Sequence, residues 1–246
     1  TANNDVKLGA DIETRREGKI TITADVDKDG EVGGDVVLGA SMKSQDGDIT
    51  ITGENVTDQA INDMPDYKIA SAKGGKGGKG GPEVESIQTG SGNVTITANN
   101  DVNLQETEIE TGVRSEEAGK GGNRNVIITA NNDVKLGADI ETRREGQITV
   151  TADVDNDESG DIALGASLLS ENGDITLTAE NVGEFMDDYP SASGEGEAKL
   201  FGGGWNEGQQ IKTSGADEGQ SGDITIKARN NVNLQGTDII TEGKTT

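Results

Sequence analysis

The feature that most constrains this chain is a unit of about 21 residues that recurs along its length. Two clear copies are NVTITANNDVNLQETEIETG, which begins at Asn93, and NVIITANNDVKLGADIETRREG, which begins at Asn125. Each copy contains three short alternating segments: V/I-x-I-x-A, then V-x-L, then I-x-T. Alternation of apolar and polar residues is typical of β-strands with one buried face. The unit therefore predicts three short strands, separated by turns rich in Gly and Asn.

A second, longer period of about 128 residues contains these units. The stretch TANNDVKLGADIETRREG occurs at 1–18 and again at 129–146, identical throughout. We therefore predict two tandem repeats, 1–128 and 129–246. A fold requires the apolar members of this stretch, but not identity of exposed residues such as Lys7, Arg15 and Arg16. That identity indicates either a recent duplication or a surface that recurs at a fixed spacing.

The composition limits the kind of core that can form. Only 30% of the residues are hydrophobic and 2% are aromatic, while 37 are Gly. This composition argues against a conventional globular core of large side chains. Stacked repeats, in contrast, share a continuous aliphatic core and need only small residues. The sequence thus predicts an all-β parallel β-helix, or β-solenoid, with three short strands per coil and about eight coils. The whole chain, 1–246, forms one solenoid segment with two long loop insertions, 57–86 and 183–210.

The charge and the missing residue types exclude several functions. The formal net charge is −25, with 46 acidic residues against 21 basic ones, which argues against binding to nucleic acid. The absence of Cys and His removes disulfides, thiol nucleophiles, His bases and ordinary zinc sites. No apolar run has the length of a membrane span, and no signal peptide is visible. The chain opens within the repeat pattern, which favours a segment of something longer.

Two acidic segments predict a cation site. Asp at alternate positions followed by Gly resembles the first half of a calcium loop, in which oxygens converge on one hard cation. The predicted ligands are Asp25, Asp27, Asp29, Glu31 and Asp35 in the first repeat, and Asp153, Asp155, Asp157, Ser159 and Asp161 in the second. Neither segment is a full EF-hand, and the alternative is a solvated acidic turn. We predict a structural calcium ion that pins each loop to the rod.

The two insertions carry all five aromatic residues of the chain. These are Tyr67 in the first insertion and Phe185, Tyr189, Phe201 and Trp205 in the second. One interpretation is that the insertions are decorations whose aromatic residues cover coil edges. The other is that they form a contact surface for a glycan or a neighbouring rod, because aromatic residues dominate interfaces.

Two polar patterns repeat from unit to unit. T-x-T pairs such as Thr21 and Thr23 are expected to point outward on one flat face. They are explained by the strand preference of Thr, by lateral packing of rods, or by ice binding, which some β-solenoids perform through such pairs. Asn precedes the second strand at Asn4, Asn55, Asn100, Asn132, Asn181 and Asn230, where side-chain amides can bond from coil to coil.

The chain contains no pattern of catalytic residues that we recognise. Arg15 and Arg16 adjoin Glu17, and Arg143 and Arg144 adjoin Glu145, which is typical of a solvated charged surface. Pectate-lyase-like β-helices act on sugars with clustered charges, so a polysaccharide-degrading enzyme is an alternative that we do not favour.

The repeats resemble those of filamentous haemagglutinin and related large secreted adhesins. The resemblance lies in GNVTITANNDVNLQETEIETG at 92–112 and GDITLTAENV at 173–182. It implies a right-handed parallel β-helix on a bacterial cell surface, used for adhesion and exported through a dedicated outer-membrane partner. The amino-terminal secretion domain of that family is not visible here, and the 128-residue period goes beyond the family pattern.

The function predicted from these features is structural and adhesive. The chain is expected to be a secreted segment of a cell-surface or extracellular-matrix fibre or giant adhesin, stiffened by calcium, which self-associates end to end into filaments. The alternatives are a module that binds a host or cell-surface glycan through the aromatic insertions and, less favoured, an ice-binding protein or a polysaccharide-degrading β-helix.

Overall fold

The computed structural model describes residues 1–24, 34–58, 85–112, 124–154, 160–184, 209–218, 221–234 and 236–244. Within these ranges the regular elements are all β-strands. In chain order they are β1 (Val6–Leu8), β2 (Ile12–Thr14), β3 (Ile20–Thr23), β4 (Val36–Leu38), β5 (Met42–Ser44), β6 (Ile49–Gly53), β7 (Val56–Thr57), β8 (Ser86–Thr89), β9 (Val94–Ala98), β10 (Val102–Leu104), β11 (Glu108–Thr111), β12 (Val126–Ala130), β13 (Val134–Leu136), β14 (Ile140–Thr142), β15 (Ile148–Thr151), β16 (Asp161–Leu164), β17 (Leu168–Glu171), β18 (Ile175–Glu184), β19 (Gln209–Glu218), β20 (Ile224–Asn233) and β21 (Thr237–Lys244). The alternation predicted from the sequence is confirmed in strands such as β9, where buried and partly exposed residues alternate.

All pairs of described strands run parallel. A strand usually pairs with the one three places further along the chain, as β1 does with β4. Three series result. The first-strand series is β3-β6-β9-β12-β15-β18, the second-strand series is β1-β4-β7-β10-β13-β16-β18, and the third-strand series is β2-β5-β8-β11-β14-β17-β19-β21.

The long strand β18 belongs to two of these series. Its first half pairs with β15 and its second half with β16, and β20 pairs with it along both halves. The first two series are thereby joined into one 13-stranded sheet, while the third-strand series forms a separate 8-stranded sheet. The protein is therefore all-β, with a solenoid-like stack of parallel strands.

The core consists of columns of aliphatic side chains that run along the stack. Register places Ile49, Val94, Val126, Ile148 and Ile175 in one such column, and each is fully buried. The buried residues form one continuous cluster. Because each side chain packs on its counterparts in the adjacent strands, Val, Ile, Leu and Ala suffice and no aromatic residue is needed.

The third-strand series places hydroxyl groups inside the stack. Its inward Ser and Thr residues are almost fully buried: Ser44, Thr89, Thr111, Thr142, Ser170 and Thr213. Each hydroxyl donates to a backbone carbonyl. Thr142 Oγ1 donates to Gly146 O in the turn that follows, at 2.7 Å, whereas Ser44 Oγ donates to Gly18 O in the turn after the neighbouring strand, at 2.8 Å. The hydroxyls are buried at low cost because they are hydrogen-bonded.

Those turns stack so closely that a side chain does not fit at some positions. A Cβ atom on Gly173 would lie 2.0 Å from the carbonyl oxygen of Gly146, and one on Gly47 would lie 2.2 Å from that of Gly18. The glycines are therefore required by the close approach of neighbouring backbones.

The columns lose their neighbours at the two ends of the stack. Val6, Leu8 and Ile12 at one end are only partly buried, and Val232 and Ile239 at the other end are 52% and 54% exposed. Among the described residues, no helix is long and apolar enough to cross a membrane.

Candidate functional site

Two residues of the predicted calcium set lie in one column along the second-strand series. The Asp35 carboxylate accepts hydrogen bonds from the backbone N–H (3.1 Å) and side-chain N–H (2.8 Å) of Asn55. Asp161 makes the same two contacts with Asn181, at 3.1 and 2.7 Å. The two repeats thus use these carboxylates alike, to bond to the next strand of the series.

These residues belong to a longer Asp/Asn column, which we define by its eight members: Asp5, Asp35, Asn55, Asp101, Asp133, Asp161, Asn181 and Asn231. From Asp5 through Asp161, the side-chain oxygen of each member accepts the backbone N–H of the next member, at 3.0 to 3.2 Å. Asn181 accepts a side-chain N–H of Asn231 at 3.1 Å. The column ties successive strands together at the corner that precedes V-x-L.

The prediction of Asn contacts between units is confirmed in part. The side-chain amide of Asn100 donates to Asn55 Oδ1 at 2.9 Å, and that of Asn132 donates to Asn100. Asn55 and Asn181, however, lie in the Asp/Asn column, because each directly precedes its Val whereas Asn100 is one residue further from Val102. Asn55 and Asn181 thus stand one residue closer to the following Val than Asn100 does.

The middle of the Asp/Asn column concentrates negative charge. Asp101, Asp133 and Asp161 follow one another on adjacent strands. Burial raises the pKa of Asp133, and the carboxylates of Asp101 and Asp161 add to that rise. The N–H of Asp161 and the ammonium of Lys135 oppose it, with Lys135 Nζ 3.9 Å from Asp133 Oδ2.

Asp153, at the start of the second acidic segment, contacts an arginine. The residue is 7% exposed, and its backbone has a positive φ of 57°. Its Oδ2 atom lies 3.2 Å from Nη1 of Arg229. The sequence did not indicate this contact, since Arg229 is 76 positions further along the chain.

The calcium site itself stays a prediction. Asp25, Asp27, Asp29, Glu31, Asp155, Asp157 and Ser159 lie outside the described residues. Within the described ranges, no group of three or more acidic side chains is arranged to hold a metal ion. The described donors Asp35, Asp153 and Asp161 contact Asn55, Arg229 and Asn181, so they do not by themselves fit a calcium shell.

The T-x-T pairs align into two columns on the outer side of the first-strand series. One contains Thr21, Thr50, Thr95, Thr149, Thr176 and Thr225, and the other contains Thr23, Thr52, Thr97, Thr129, Thr151 and Thr178. Ile127 interrupts the first column, and Lys227 follows Thr178 in the second. The predicted alignment is confirmed, while a role in binding stays untested.

A groove with a volume of about 590 Å³ opens on the third-strand series of the second repeat. Arg143 lines it and lies 2.8 Å from both Glu110 and Glu141. Lys212 also lines it, with Nζ 2.7 Å from Glu242. The groove is therefore polar, and these two cations are engaged in ion pairs.

The groove includes part of the stretch that is identical in the two repeats. Arg144 has a φ of 63°, and its N–H donates to Glu171 Oε2 at 2.9 Å. Arg16 has a φ of 57°, and its N–H donates to Gln45 Oε1 at 3.1 Å. The two copies thus share a backbone conformation, but this conformation does not require arginine. The fold accordingly leaves the identity of these side chains unexplained.

The second insertion joins the stack beside this groove. Strand β18 ends at Glu184, β19 begins at Gln209, and Gln210 and Lys212 line the groove. The predicted contact residues Tyr67, Phe185, Tyr189, Phe201 and Trp205 lie outside the described residues. Their role stays a prediction.

Asp58 is a residue that the sequence reasoning missed. It is 7% exposed and follows β7, where other units have the Leu of V-x-L. Its carboxylate accepts the backbone N–H groups of Gln105, Glu106 and Thr107, at 3.0, 2.7 and 2.8 Å. The available signal was a charged residue that replaces the Leu of V-x-L at the start of the first insertion.

Comparison with known proteins identifies no relative: no protein-family model, no curated protein and no solved structure matches the chain. The resemblance to haemagglutinin-like adhesin repeats therefore stays a prediction from the repeat sequence.

Proposed function

We propose that this chain is a structural segment of a cell-surface or extracellular-matrix fibre, or of a giant adhesin, that extends by end-to-end stacking. In this proposal the three series of strands are the three faces of a right-handed parallel β-helix. The seven strands of the second-strand series, together with the second half of β20, which pairs with β18, would correspond to eight coils within the described residues.

The observation that carries this proposal is the contrast between the middle and the ends of the stack. Val102 and Val134 in the middle of the second-strand series are fully buried, while Val232 at its end is 52% exposed. Terminal strands also present unpaired N–H and C=O groups, which can pair with another parallel strand. A further coil, from the same polypeptide or from a second copy, would cover both.

Calcium is part of the proposal as a stiffening ion. The chain has a net charge of −25, and the Asp/Asn column brings carboxylates onto adjacent strands. A divalent cation bound by the acidic segments would relieve such repulsion. Calorimetric titration with calcium chloride tests this: we expect heat of binding and a rise in melting temperature, and the absence of both would contradict it.

End-to-end stacking is tested by changing the exposed end of the stack. We expect electron micrographs of the wild-type chain to show filaments with an axial repeat of about four coils, roughly 19 Å. Ile239→Lys places a charge on the end at a residue that is 54% exposed, and it should prevent filaments without unfolding the chain. Thr176→Lys adds the same charge to the side of the stack and is the control. Equal filament formation by both variants would refute end-to-end stacking.

A second function, glycan binding by the second insertion, is favoured by the position of the groove. The insertion rejoins the stack at Gln209, next to Gln210 and Lys212, which line a polar groove of about 590 Å³. Deletion of 185–208 should abolish binding on a glycan array, while deletion of 59–84 from the first insertion is the control. Loss of binding with filaments intact would favour this function; loss of filaments would favour assembly.

A further inference from the structure

Three residues on successive strands form an ion cluster near the end of the stack. Asp153 follows β15, Glu180 lies in β18 and Arg229 lies in β20. Nη1 of Arg229 lies 3.2 Å from Asp153 Oδ2 and 3.3 Å from Glu180 Oε2. One guanidinium thus bridges two carboxylates from two other strands.

The two carboxylates in this cluster are the groups that need a counterion. The side chains of Asp153 and Glu180 are 4% and 8% exposed, while that of Arg229 is 41% exposed. Two buried carboxylates of like charge are unfavourable unless a cation or hydrogen-bond donors compensate them. Asn230 donates its side-chain amide to Glu180 Oε1. Glu180 Oε2 is buried and, within the described residues, accepts no hydrogen bond, so its compensation is the ion pair with Arg229.

The register also explains how Arg229 reaches both groups. Ala179 pairs with Ala228 and Asn181 with Asn231, so Glu180 alone faces both Arg229 and Asn230. This irregularity in the pairing places two side chains opposite one carboxylate. Arg229 reaches Oε2 of Glu180 from β20, while Asn230 bonds to the other carboxylate oxygen, Oε1.

The first repeat has the same acidic residues but no arginine. The sequence counterparts of Asp153, Glu180 and Arg229 are Asp25, Glu54 and Asn99. Asn99 and Asn100 bond through their backbone N–H groups to Gly53 and Glu54, so they take the places facing Glu54. A neutral amide therefore stands in the first repeat where the second has a guanidinium.

We propose that Arg229 is the built-in counterion of the second acidic segment and occupies the position in which a divalent cation would bridge Asp153 and Glu180. This part of the stack then needs no divalent cation to compensate its buried carboxylates. This proposal narrows the proposed calcium binding in one respect, on which it otherwise does not rest: any calcium response of the wild-type chain is assigned to the first repeat.

The test compares Arg229→Gln with the wild-type chain, in calcium chloride and in chelator. The control is Lys227→Gln, which removes the same charge from the same strand at an exposed residue. In chelator, we expect the melting temperature of Arg229→Gln to be below those of the wild-type chain and Lys227→Gln. In calcium chloride, Arg229→Gln should regain most of the lost melting temperature. Calorimetry should show one calcium site more than in the wild-type chain. Lys227→Gln should show neither the loss nor the additional site.

The double variant Glu180→Gln/Arg229→Gln separates the charge effect from a general loss of packing. Because one carboxylate is neutralised, it should fold in chelator and lack the additional calcium site. The proposal is overturned if Arg229→Gln matches Lys227→Gln in both conditions, or if the double variant is as unstable as the single one. If the wild type ignores calcium and Arg229→Gln responds, the Arg229 proposal holds and calcium stiffening of the first repeat fails.

Discussion

Asp133→Asn is expected to stabilise the protein at neutral pH. Asp133 stands between Asp101 and Asp161 in the Asp/Asn column, and its side chain is 23% exposed. Its Oδ1 accepts the N–H of Asp161 at 3.0 Å. Asn can keep that acceptor while losing the negative charge, and the same column already uses Asn at positions 55 and 181.

The size of the gain follows from the spacing of the strands. Neighbouring strands lie about 4.8 Å apart. Two unit charges about 5 Å apart repel each other by about 1 kcal/mol in water and about 3 kcal/mol at an effective dielectric constant of 20. Lys135, with Nζ 3.9 Å from Asp133, offsets part of this repulsion. We expect Asp133→Asn to raise the free energy of unfolding by about 1 kcal/mol, which corresponds to roughly 2–4 °C in melting temperature for a chain of this length.

The pH dependence distinguishes charge from other causes. Burial, with the neighbouring carboxylates, raises the pKa of Asp133 in the folded state. The folded state therefore binds this proton more readily than the unfolded state, and wild-type stability falls as pH rises between the unfolded pKa, about 3.9, and the raised folded pKa. Asp133→Asn cannot titrate, so its advantage should be full at pH 7 and should vanish as pH is lowered through that window.

The assay is thermal unfolding of Asp133→Asn, Asp133→Ala and the wild-type chain at pH 7 and pH 4. Ala removes the acceptor for the Asp161 N–H, so Asp133→Ala should be less stable than Asp133→Asn at both pH values. The reasoning is refuted if Asp133→Asn is no more stable than wild type at pH 7, or if its gain is the same at both pH values.

Three further predictions concern single positions. Gly173→Ala should lower the free energy of unfolding by at least about 3 kcal/mol, because the new Cβ would lie 2.0 Å from Gly146 O. The control in the same denaturant titration is Gly9→Ala, whose new Cβ would have no atom within 4 Å. Asp58→Ala should lower the free energy of unfolding by about 3 kcal/mol, because three N–H groups lose their acceptor. Asp58→Asn should lower it less, and equal losses for the two variants on chemical unfolding would contradict this. We expect a solution of the protein to show no thermal hysteresis by osmometry, because the outward Thr columns are explained by the preference of Thr for a solvated strand face. Thermal hysteresis that Thr50→Lys abolishes would contradict this expectation.

Much of the architecture could be predicted because each strand carries its own pattern. In β9 the residues Val94, Ile96 and Ala98 alternate with Thr95 and Thr97, and that alternation alone indicates which face is buried. A shift of one residue would expose every apolar side chain, so the register from strand to strand follows from the pattern. The aliphatic columns and the outward Thr columns were predictable for this reason.

The contacts of the charged side chains could not be predicted in the same way. Asp35 and Asp161 were assigned to calcium because Asp recurs at alternate positions nearby, but their partners Asn55 and Asn181 come from the next strand of the stack. Neighbours of this kind are 20 residues apart in the sequence here and 76 apart for Asp153 and Arg229. A local pattern carries no information on such a partner.

The sequence by itself determined the all-β class, the parallel stacking of short strands, the aliphatic core and the two long repeats, because each depends on the period of apolar residues and on turn residues within one unit. Only the tertiary structure decided which carboxylates are compensated by which donors. It placed Asp133 between two other carboxylates and Arg229 between Asp153 and Glu180. The physical reason is distance: a column brings together residues of successive strands, and electrostatic energy depends on their separation in space, not along the chain.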